Sequence, residues 1–223
     1  MEHSFWHHKW KINQVGFHLD YIHPLLKRNL ELFQLKGKSA KQNRVFIPLC
    51  GKTLDIGYLL AQNCSVVAVE LSEVAVQSVF EALDLSLDDQ PQVSDWLGGK
   101  LYQTKNLQIF VGDFFALTAA DLGEIVLVYD RAALIALPPA MRIDYAQRLA
   151  TITQRAPQLL ITLDFDQSVS SGPPFAVSTE EVEALYDATY QIQLIEEADI
   201  IEQESHFKAK GIKSVYERAY ELK

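Results

Sequence analysis

The sequence predicts a doubly wound α/β fold, in which helices cover both faces of a mostly parallel sheet. Five short apolar runs alternate with segments of helical periodicity, and within each run the apolar residues are consecutive. Consecutive apolar residues are typical of strands that are buried on both faces, as in a parallel sheet with helices between its strands. The five runs lie at residues 44–49, 65–69, 107–111, 124–129 and 158–163.

Helix signals occur between these runs. Apolar residues recur at helical spacing within residues 55–62, 73–83 and 141–155. Ser72 directly precedes the second of these segments and is expected to cap the helix there. Aromatic residues and leucines near helical spacing predict a further helical extension over residues 1–40.

The end of the chain has a different pattern. Residues 190–195 and 215–220 alternate between apolar and polar positions with little helical sequence between them. Alternation of this kind predicts an antiparallel edge of the sheet. The length of 223 residues and the absence of repeats favour a single domain over residues 1–223.

Charge and composition exclude several classes of function. Lys and Arg number 20 against 29 Asp and Glu, which gives a net charge of −9. Nucleic acids and anionic membranes require clustered positive charge, so we expect neither as a partner. No apolar stretch reaches the ~18 residues of a membrane span, and no signal peptide pattern is present. The sequence also indicates no obligate protein partner.

The cysteine content indicates the cellular setting. Cys50 and Cys64 are the only two cysteines of the sequence. Two thiols are too few for a disulfide framework or a zinc site, so we expect no bound metal and a reducing, cytoplasmic location.

Candidate ligand-binding residues lie at the strand ends, because ligands of open α/β sheets bind beyond the carboxyl ends of the strands. The turn at Gly51 has neither the G-x-G-x-x-G nor the Walker A pattern, which argues against a pyrophosphate cradle. Glu70 follows Gly51 by 19 positions and ends the second strand. Its two carboxylate oxygens suit the two hydroxyls of a ribose. Together these residues favour S-adenosylmethionine over NAD. An ordinary turn and a solvated acid are the alternatives.

The third and fourth strands end in further candidates. Phe114 follows the third strand, where an aromatic ring and a backbone N–H suit an adenine ring, and core packing is the alternative. Asp130 and Arg131 close the fourth strand, and both are expected to face the crevice. Arg131 would pair with a carboxylate of the ligand or with an anionic substrate, and a surface turn is the alternative. A solvated loop is the expected place for Lys52.

No catalytic acid, base or nucleophile stands out. Cys50 has no His or Asp beside it in the sequence and is expected to be a small buried thiol. His7 and His8 are adjacent, and His18 and His23 are five positions apart, which suits neither pair to a shared metal ion. We expect solvated or capping histidines.

Several motifs together resemble the thiopurine S-methyltransferase family, and the resemblance covers nearly the whole chain. The matching segments are residues 6–10, 16–18, 44–55, 67–72, 129–134 and 172–175. Among methyltransferases, Pro-Leu-Cys-Gly-Lys at residues 48–52 in place of a Gly-rich loop is specific to this family, and the chain is most similar to its bacterial members. The resemblance implies a Rossmann-like, class I S-adenosylmethionine-dependent methyltransferase that methylates the sulfur of aromatic or heterocyclic thiols.

The resemblance also implies roles for particular residues. Residues 1–40 would cover the cofactor and the substrate. Contacts with S-adenosylmethionine are implied for Trp10, Leu49, Gly51, Glu70 and Arg131. Arg131 would also lie near the substrate, which makes it the electrostatic candidate in catalysis. Phe17 would border the substrate pocket, and the secondary substrate candidates are Pro173, Pro174 and Phe175.

Alternatives to this function remain open at the level of sequence. Animal members often have Arg-His-Lys before a late glycine, whereas this chain has His206-Phe207-Lys208. If that Arg holds a thiopurine, a selenium or tellurium compound is an alternative acceptor. The rivals from other classes are a nicotinamide oxidoreductase, which the missing G-x-G-x-x-G disfavours, and a catalytically silent S-adenosylmethionine-binding protein.

Overall fold

The computed structural model describes residues 3–12, 18–35, 39–86 and 89–223. Nine strands of these ranges form one sheet. In chain order the strands are β1 (Arg44–Ile47), β2 (Ser65–Glu70), β3 (Gln92–Trp96), β4 (Gly99–Gln103), β5 (Leu107–Val111), β6 (Leu127–Arg131), β7 (Gln158–Phe165), β8 (Ile192–Asp199) and β9 (Val215–Leu222). The helices are α1 (His3–Lys11), α2 (Pro24–Asn29), α3 (Asp55–Ala61), α4 (Glu73–Leu83), α5 (Ala119–Leu122), α6 (Pro139–Ile152), α7 (Thr179–Tyr186) and α8 (Ser205–Ala209).

The sheet has the order β3-β4-β5-β2-β1-β6-β7-β9-β8. Its five central strands, from β5 to β7, are parallel. Strands β9 and β8 extend the β7 edge in antiparallel pairing. The mostly parallel, doubly wound sheet and its antiparallel C-terminal edge are therefore confirmed.

The hairpin of β3 and β4 was not expected from the sequence. It pairs antiparallel with β5 and forms the other edge of the sheet. Its first four residues, from Gln92 to Asp95, are exposed. Because an exposed edge strand needs no apolar run, its sequence lacks the pattern that identifies the central strands.

The strand order reverses beside β1. Strand β2 lies parallel on one side of β1, whereas β6, which comes later in the chain, lies parallel on the other. A crevice opens at such a topological switch point because the connections leaving the two strands run to opposite sides of the sheet. The fold thus positions the turns after β1 and β6 around one opening.

Two apolar clusters cover the two faces of the sheet. Phe46 and Val67 belong to one cluster, and their strand neighbours Val45 and Val66 belong to the other. All four side chains are fully buried. Burial on both faces explains why the central strands are apolar at consecutive positions.

The predicted helices are present, with some shifts at their ends. Helix α4 has the predicted bounds, although the Ser72 hydroxyl makes no capping hydrogen bond. The fourth strand begins and ends later than predicted, so Asp130 and Arg131 are part of β6. Helix α2 lies within the predicted N-terminal extension and buries Leu25 and Leu26 in one of the two clusters.

The described ranges contain neither a membrane-spanning helix nor a cluster of metal-ligating side chains. Within residues 3–12, 18–35, 39–86 and 89–223, no helix has both the length and the apolar character needed to cross a bilayer. In the same part of the chain, no three His, Cys, Asp or Glu side chains are arranged to hold a metal ion.

Candidate active site

A cavity lies at the carboxyl ends of β1, β2 and β6, at the switch point of the sheet. It contains about 940 Å³ of empty space, part of which is open to solvent. Its walls combine apolar side chains with a few charged ones, as is typical of small-molecule sites. The lining residues are Trp6, Trp10, His18, Ile47, Leu49, Cys50, Gly51, Lys52, Thr53, Asp55, Glu70, Leu71, Tyr129, Arg131, Ala132, Ile135, Ala136, Leu137, Pro173 and Pro174.

The turn after β1 has an unusual backbone. Leu49 has φ of 47° and Gly51 has φ of 56°, both in the left-handed region. That region costs a residue with a side chain ~1–2 kcal/mol, whereas glycine adopts it readily. The Cys50 N–H donates to the Val69 carbonyl at 3.0 Å and so ties the turn to β2. Strain of this kind at a cavity wall is typical of ligand sites.

Glu70 holds the same turn from the end of β2. Its Oε2 accepts a hydrogen bond from the Gly51 N–H at 2.9 Å, and its Oε1 accepts one from the Ser72 N–H at 2.8 Å. The side chain is only 6% exposed, so it is not a solvated acid. Burial raises the pKa of Glu70, and the amide hydrogen bonds oppose that shift. Each carboxylate oxygen has a second lone pair, so Glu70 can order the turn and still accept hydroxyl groups of a ligand.

Asp130 and Arg131 diverge, because successive residues of a strand point to opposite faces of the sheet. Arg131 lines the cavity. Asp130 is fully buried in the core, where it accepts hydrogen bonds from the Tyr145 hydroxyl at 2.7 Å and the Leu134 N–H at 3.2 Å. The expectation that both residues face the crevice is therefore wrong for Asp130. Burial raises the pKa of Asp130 to about 6.

Asp55 links the N-terminal segment to the floor of the cavity. Its Oδ2 accepts a hydrogen bond from the Tyr129 hydroxyl at 2.9 Å, and its Oδ1 accepts one from the His23 N–H at 2.8 Å. The His23 ring caps α2 by accepting from the Leu25 N–H at 3.3 Å, and its Nε2 lies 3.1 Å from Oε1 of Glu217. The expectation of a capping histidine is confirmed for His23, which is nevertheless buried.

His18 and Lys52 line the cavity, which the sequence did not indicate. Both are half-buried rather than fully solvated. Burial lowers the pKa of His18, and the charges of Lys52 and Arg131 lower it further, whereas Asp20 acts in the opposite direction. The expectation of a solvated or capping histidine is wrong for His18. Its position next to Phe17, in a segment that resembles the family, was the only available signal.

Most of the predicted site residues lie together around this cavity. Those in its lining are Trp10, Leu49, Gly51, Glu70, Arg131, Pro173 and Pro174. Cys50 also lies in the wall, and burial raises its pKa well above the usual value, as expected for an inert thiol. Phe17 falls outside the described residues.

Other predicted residues lie elsewhere. Phe114 does not line the cavity, because its ring packs in the core at 4.8 Å from the ring of Tyr145 and 5.3 Å from that of Phe115. Core packing, the alternative for Phe114, is what the structure shows. Residues 206–208 are also outside the lining, and Phe207 packs against Phe165 at 4.9 Å between ring centroids.

A buried arginine supports the loop that contains Pro173 and Pro174. Arg142 of α6 is fully buried, and its Nε donates to the Leu137 carbonyl at 3.0 Å. Its Nη1 donates to the Ala176 carbonyl at 3.1 Å and to Glu181 at 2.6 Å. The guanidinium also lies 5.9 Å from the ring centroid of Phe175, which is not itself in the lining. Nothing in the sequence marked Arg142, because a lone arginine in a helix usually faces solvent.

Comparison with known proteins gives a consistent family. Residues 1–223 match the family profile described as thiopurine S-methyltransferase. The thiopurine S-methyltransferase of Teredinibacter turnerae is 47% identical over 196 residues, which cover 88% of this chain and 87% of that protein. The thiopurine S-methyltransferase of Pseudomonas fluorescens strain Pf0-1 is 40% identical over 223 residues, covering 100% and 99% of the two chains.

Solved structures show the same fold at low sequence identity. A SAM-dependent methyltransferase from Anabaena variabilis superimposes with a TM-score of 0.57 and 12% identity, covering 99% of this chain and 95% of that one. The YcgJ protein from Bacillus subtilis superimposes with a TM-score of 0.59 and 11% identity, covering 88% and 98%. These similarities confirm the Rossmann-like fold.

Proposed function

The chain belongs to the thiopurine S-methyltransferase family, and on this premise we propose that it methylates the sulfur of an aromatic or heterocyclic thiol. As a member of this family it is an S-adenosylmethionine-dependent methyltransferase. The observation that carries the proposal is the cavity at the switch point. Its lining combines a buried carboxylate at the end of β2, an indole and a guanidinium in one space.

The residues of the cavity wall fit the cofactor. Glu70 has acceptor capacity left for a ribose diol, and the left-handed turn at Leu49 and Gly51 allows close approach of a ligand to the backbone. The buried Trp10 adds an apolar surface. We assign the methionine end to Arg131, because a guanidinium binds a carboxylate with two parallel hydrogen bonds.

The chemistry needs alignment more than acid or base strength. S-adenosylmethionine, when bound, supplies a methyl group that its positively charged sulfur has already activated. The walls of the cavity hold the acceptor in line, and well-oriented reactants can gain ~7–11 kcal/mol from positioning alone. Trp6, Ile135 and Leu137 give the site apolar walls, which favour a reaction in which opposite charges disappear.

The acceptor is proposed to lie beside Pro173 and Pro174, with Phe17 as a further contact. Arg131 would stabilise the thiolate form of the acceptor through its fixed charge. We further propose a reducing, cytoplasmic setting. Support for it comes from Cys50 and Cys64, which are both buried and unpaired.

A methyl-transfer assay tests the proposed function. Purified protein is incubated with labelled S-adenosylmethionine and one acceptor at a time. The acceptors are a thiopurine, a thiophenol, selenite and tellurite. We expect one methylated thiol for each S-adenosylhomocysteine released with the first two acceptors. Transfer to selenite or tellurite alone would replace the thiol with a smaller chalcogen acceptor. Cofactor binding without transfer to any acceptor would indicate a catalytically silent protein.

A further inference from the structure

We propose that His18 is the general base that takes the proton from the acceptor thiol, an inference that rests on the proposed methyl transfer to sulfur. His18 lies between α1 and α2 and lines the cavity together with Lys52 and Arg131. His18 therefore lies on the cavity wall and interacts electrostatically with Lys52 and Arg131, the two cations that favour a thiolate.

The carboxylates of the cavity wall are already engaged. Glu70 accepts hydrogen bonds from two backbone amides, and Asp55 accepts them from the Tyr129 hydroxyl and the His23 N–H. Both side chains are almost fully buried. Each carboxylate thus holds a structural element of the wall, which makes it a poor candidate for the base.

The other titratable groups of the lining do not accept protons at neutral pH. Burial raises the pKa of Cys50 and that of Tyr129 well above the usual values, so both keep their protons. Lys52 and Arg131 are cations. Among the titratable lining residues in the described part of the chain, His18 alone combines a neutral nitrogen that can accept a proton with partial access to water.

The surroundings of His18 keep it in the form that a base requires. Burial, Lys52 and Arg131 all favour the neutral imidazole, whereas the nearby Asp20 favours the protonated one. The charges that disfavour a protonated His18 also stabilise a thiolate. The same two cations therefore keep the base unprotonated and the nucleophile ionised.

The step balances without any additional reactant. The S–H bond of the thiol breaks, its proton bonds to an imidazole nitrogen, and its electron pair stays on sulfur as the thiolate. That thiolate is the nucleophile of the proposed transfer. His18 then returns the proton to water, which reaches it because the side chain is only half-buried.

The acidity of the acceptor makes this role testable. We would measure kcat/KM of wild type and His18→Gln for thiols whose pKa values lie below and above the assay pH. For weakly acidic thiols we expect a loss of ~100-fold, the lower end of the usual gain from general base catalysis. Acidic thiols, which are already ionised, should react at nearly the wild-type rate. His8→Gln, on an exposed position of α1, is the matched control.

A second measurement does not depend on activity. Titration of the imidazole proton resonances by NMR, assigned by their absence in His18→Gln, should give a midpoint below the ordinary pKa of 6.5. The wild-type rate with weakly acidic thiols should fall as the pH drops through that midpoint, because protonation removes the base. The variant should lack the break at that midpoint, because its rate follows the ionised fraction of the thiol and falls evenly at every pH below the pKa of the thiol.

The outcomes separate this inference from the function beneath it. Wild type that methylates no thiol overturns the proposed function, and the base role with it. Active wild type with an unimpaired His18→Gln overturns only the base role. An equal loss for acidic and weakly acidic thiols, or a His18 midpoint at or above 6.5, overturns it as well, because either result is that of a structural residue.

Discussion

At the residue scale, Glu70 accepts hydrogen bonds from the N–H groups of Gly51 and Ser72 with its two carboxylate oxygens. In Glu70→Gln an amide nitrogen, which donates and cannot accept, replaces one of these oxygens, so one backbone donor loses its partner. Hydrogen bonds to charged groups contribute ~1.5–3 kcal/mol each, and we expect a loss of ~10- to 100-fold in affinity for S-adenosylmethionine. Isothermal titration calorimetry measures the Kd of S-adenosylmethionine for wild type and variant. Wild-type affinity in the variant would remove Glu70 from the cofactor site.

Arg131 allows charge and geometry to be separated. Arg131→Lys keeps the positive charge but loses the planar fork, whereas Arg131→Ala loses both. If the charge near the thiolate matters, Lys should preserve most of kcat/KM and Ala should lose ~10- to 100-fold, or ~1.4–2.7 kcal/mol of barrier. Arg155→Ala, at an exposed position, controls for a general loss of charge. An equal kcat/KM for wild type and Arg131→Ala would mean that Arg131 lines the cavity without contributing to methyl transfer.

Asp130 should make stability depend on pH. Burial raises its pKa from 3.8 to about 6, so the folded protein binds this proton more tightly than the unfolded chain does. The contribution of Asp130 to stability is therefore greatest at low pH and is lost as the pH rises from 3.8 to about 6, by roughly 3 kcal/mol.

Asp130→Asn cannot ionise and isolates this effect. Urea unfolding at several pH values gives the difference in free energy of unfolding between wild type and variant. The free energy of unfolding of the wild type should fall relative to that of Asp130→Asn as the pH rises from 3.8 to about 6, and the difference should stay constant above pH 6. A difference that does not change with pH would mean that Asp130 titrates normally.

At the element scale, Arg142 connects α6 to the loop that contains Pro173 and Pro174. Arg142→Leu leaves the carbonyls of Leu137 and Ala176 without their donor. Breaking a buried ion pair costs ~3–5 kcal/mol, and the lower end applies because Glu181 is partly exposed. We expect KM for the thiol to rise more than Kd for the cofactor, because the loop borders the proposed acceptor side. Urea unfolding and steady-state kinetics measure the two effects.

Arg142→Lys is the companion variant. It keeps a cation within reach of Glu181 but lacks the fork that binds two carbonyls, so we expect an intermediate loss. Arg142→Leu with unchanged stability would contradict the assigned contacts. A parallel rise in KM for the thiol and Kd for the cofactor would show that the whole cavity, rather than this loop, depends on Arg142.

At the scale of the whole molecule, the switch point should distinguish between nucleotide ligands. The turn after β1 offers one glycine and no phosphate cradle, while β2 ends in a buried carboxylate. S-adenosylmethionine or S-adenosylhomocysteine should raise Tm, whereas NAD should not. At ligand concentrations ~100 times Kd the stabilisation should be ~2.7 kcal/mol. Thermal scans over a range of ligand concentrations decide it, and a shift with NAD alone would overturn the choice of cofactor.

Much of the fold could be read from the sequence. Strands buried on both faces must be apolar at consecutive positions, so the five parallel strands could be predicted from the apolar runs, and the helices between them from their helical spacing. The hairpin of β3 and β4 could not be predicted in this way, since most of its first strand is exposed. A search for consecutive apolar residues finds strands that are buried on both faces and misses an exposed edge strand such as β3.

Part of the candidate site could also be predicted from the sequence. Sequence alone determined which turns border the ligand crevice, because strand ends meet at the switch point of a doubly wound sheet. This is why Gly51 and Glu70 were predicted and do line the cavity. The family resemblance added Leu49 and Trp10, which no spacing rule could have placed and which also lie in the lining.

Only the tertiary structure decided what each side chain touches. Glu70 meets the Gly51 amide across 19 positions, and His23 meets Glu217 across 194. Asp130 turns into the core while Arg131 faces the cavity, and His18 joins Arg131 from a distant segment. Local sequence encodes burial and turn geometry, which depend on near neighbours. Hydrogen-bond partners and pKa values depend on atoms that only the folded chain brings within a few ångströms.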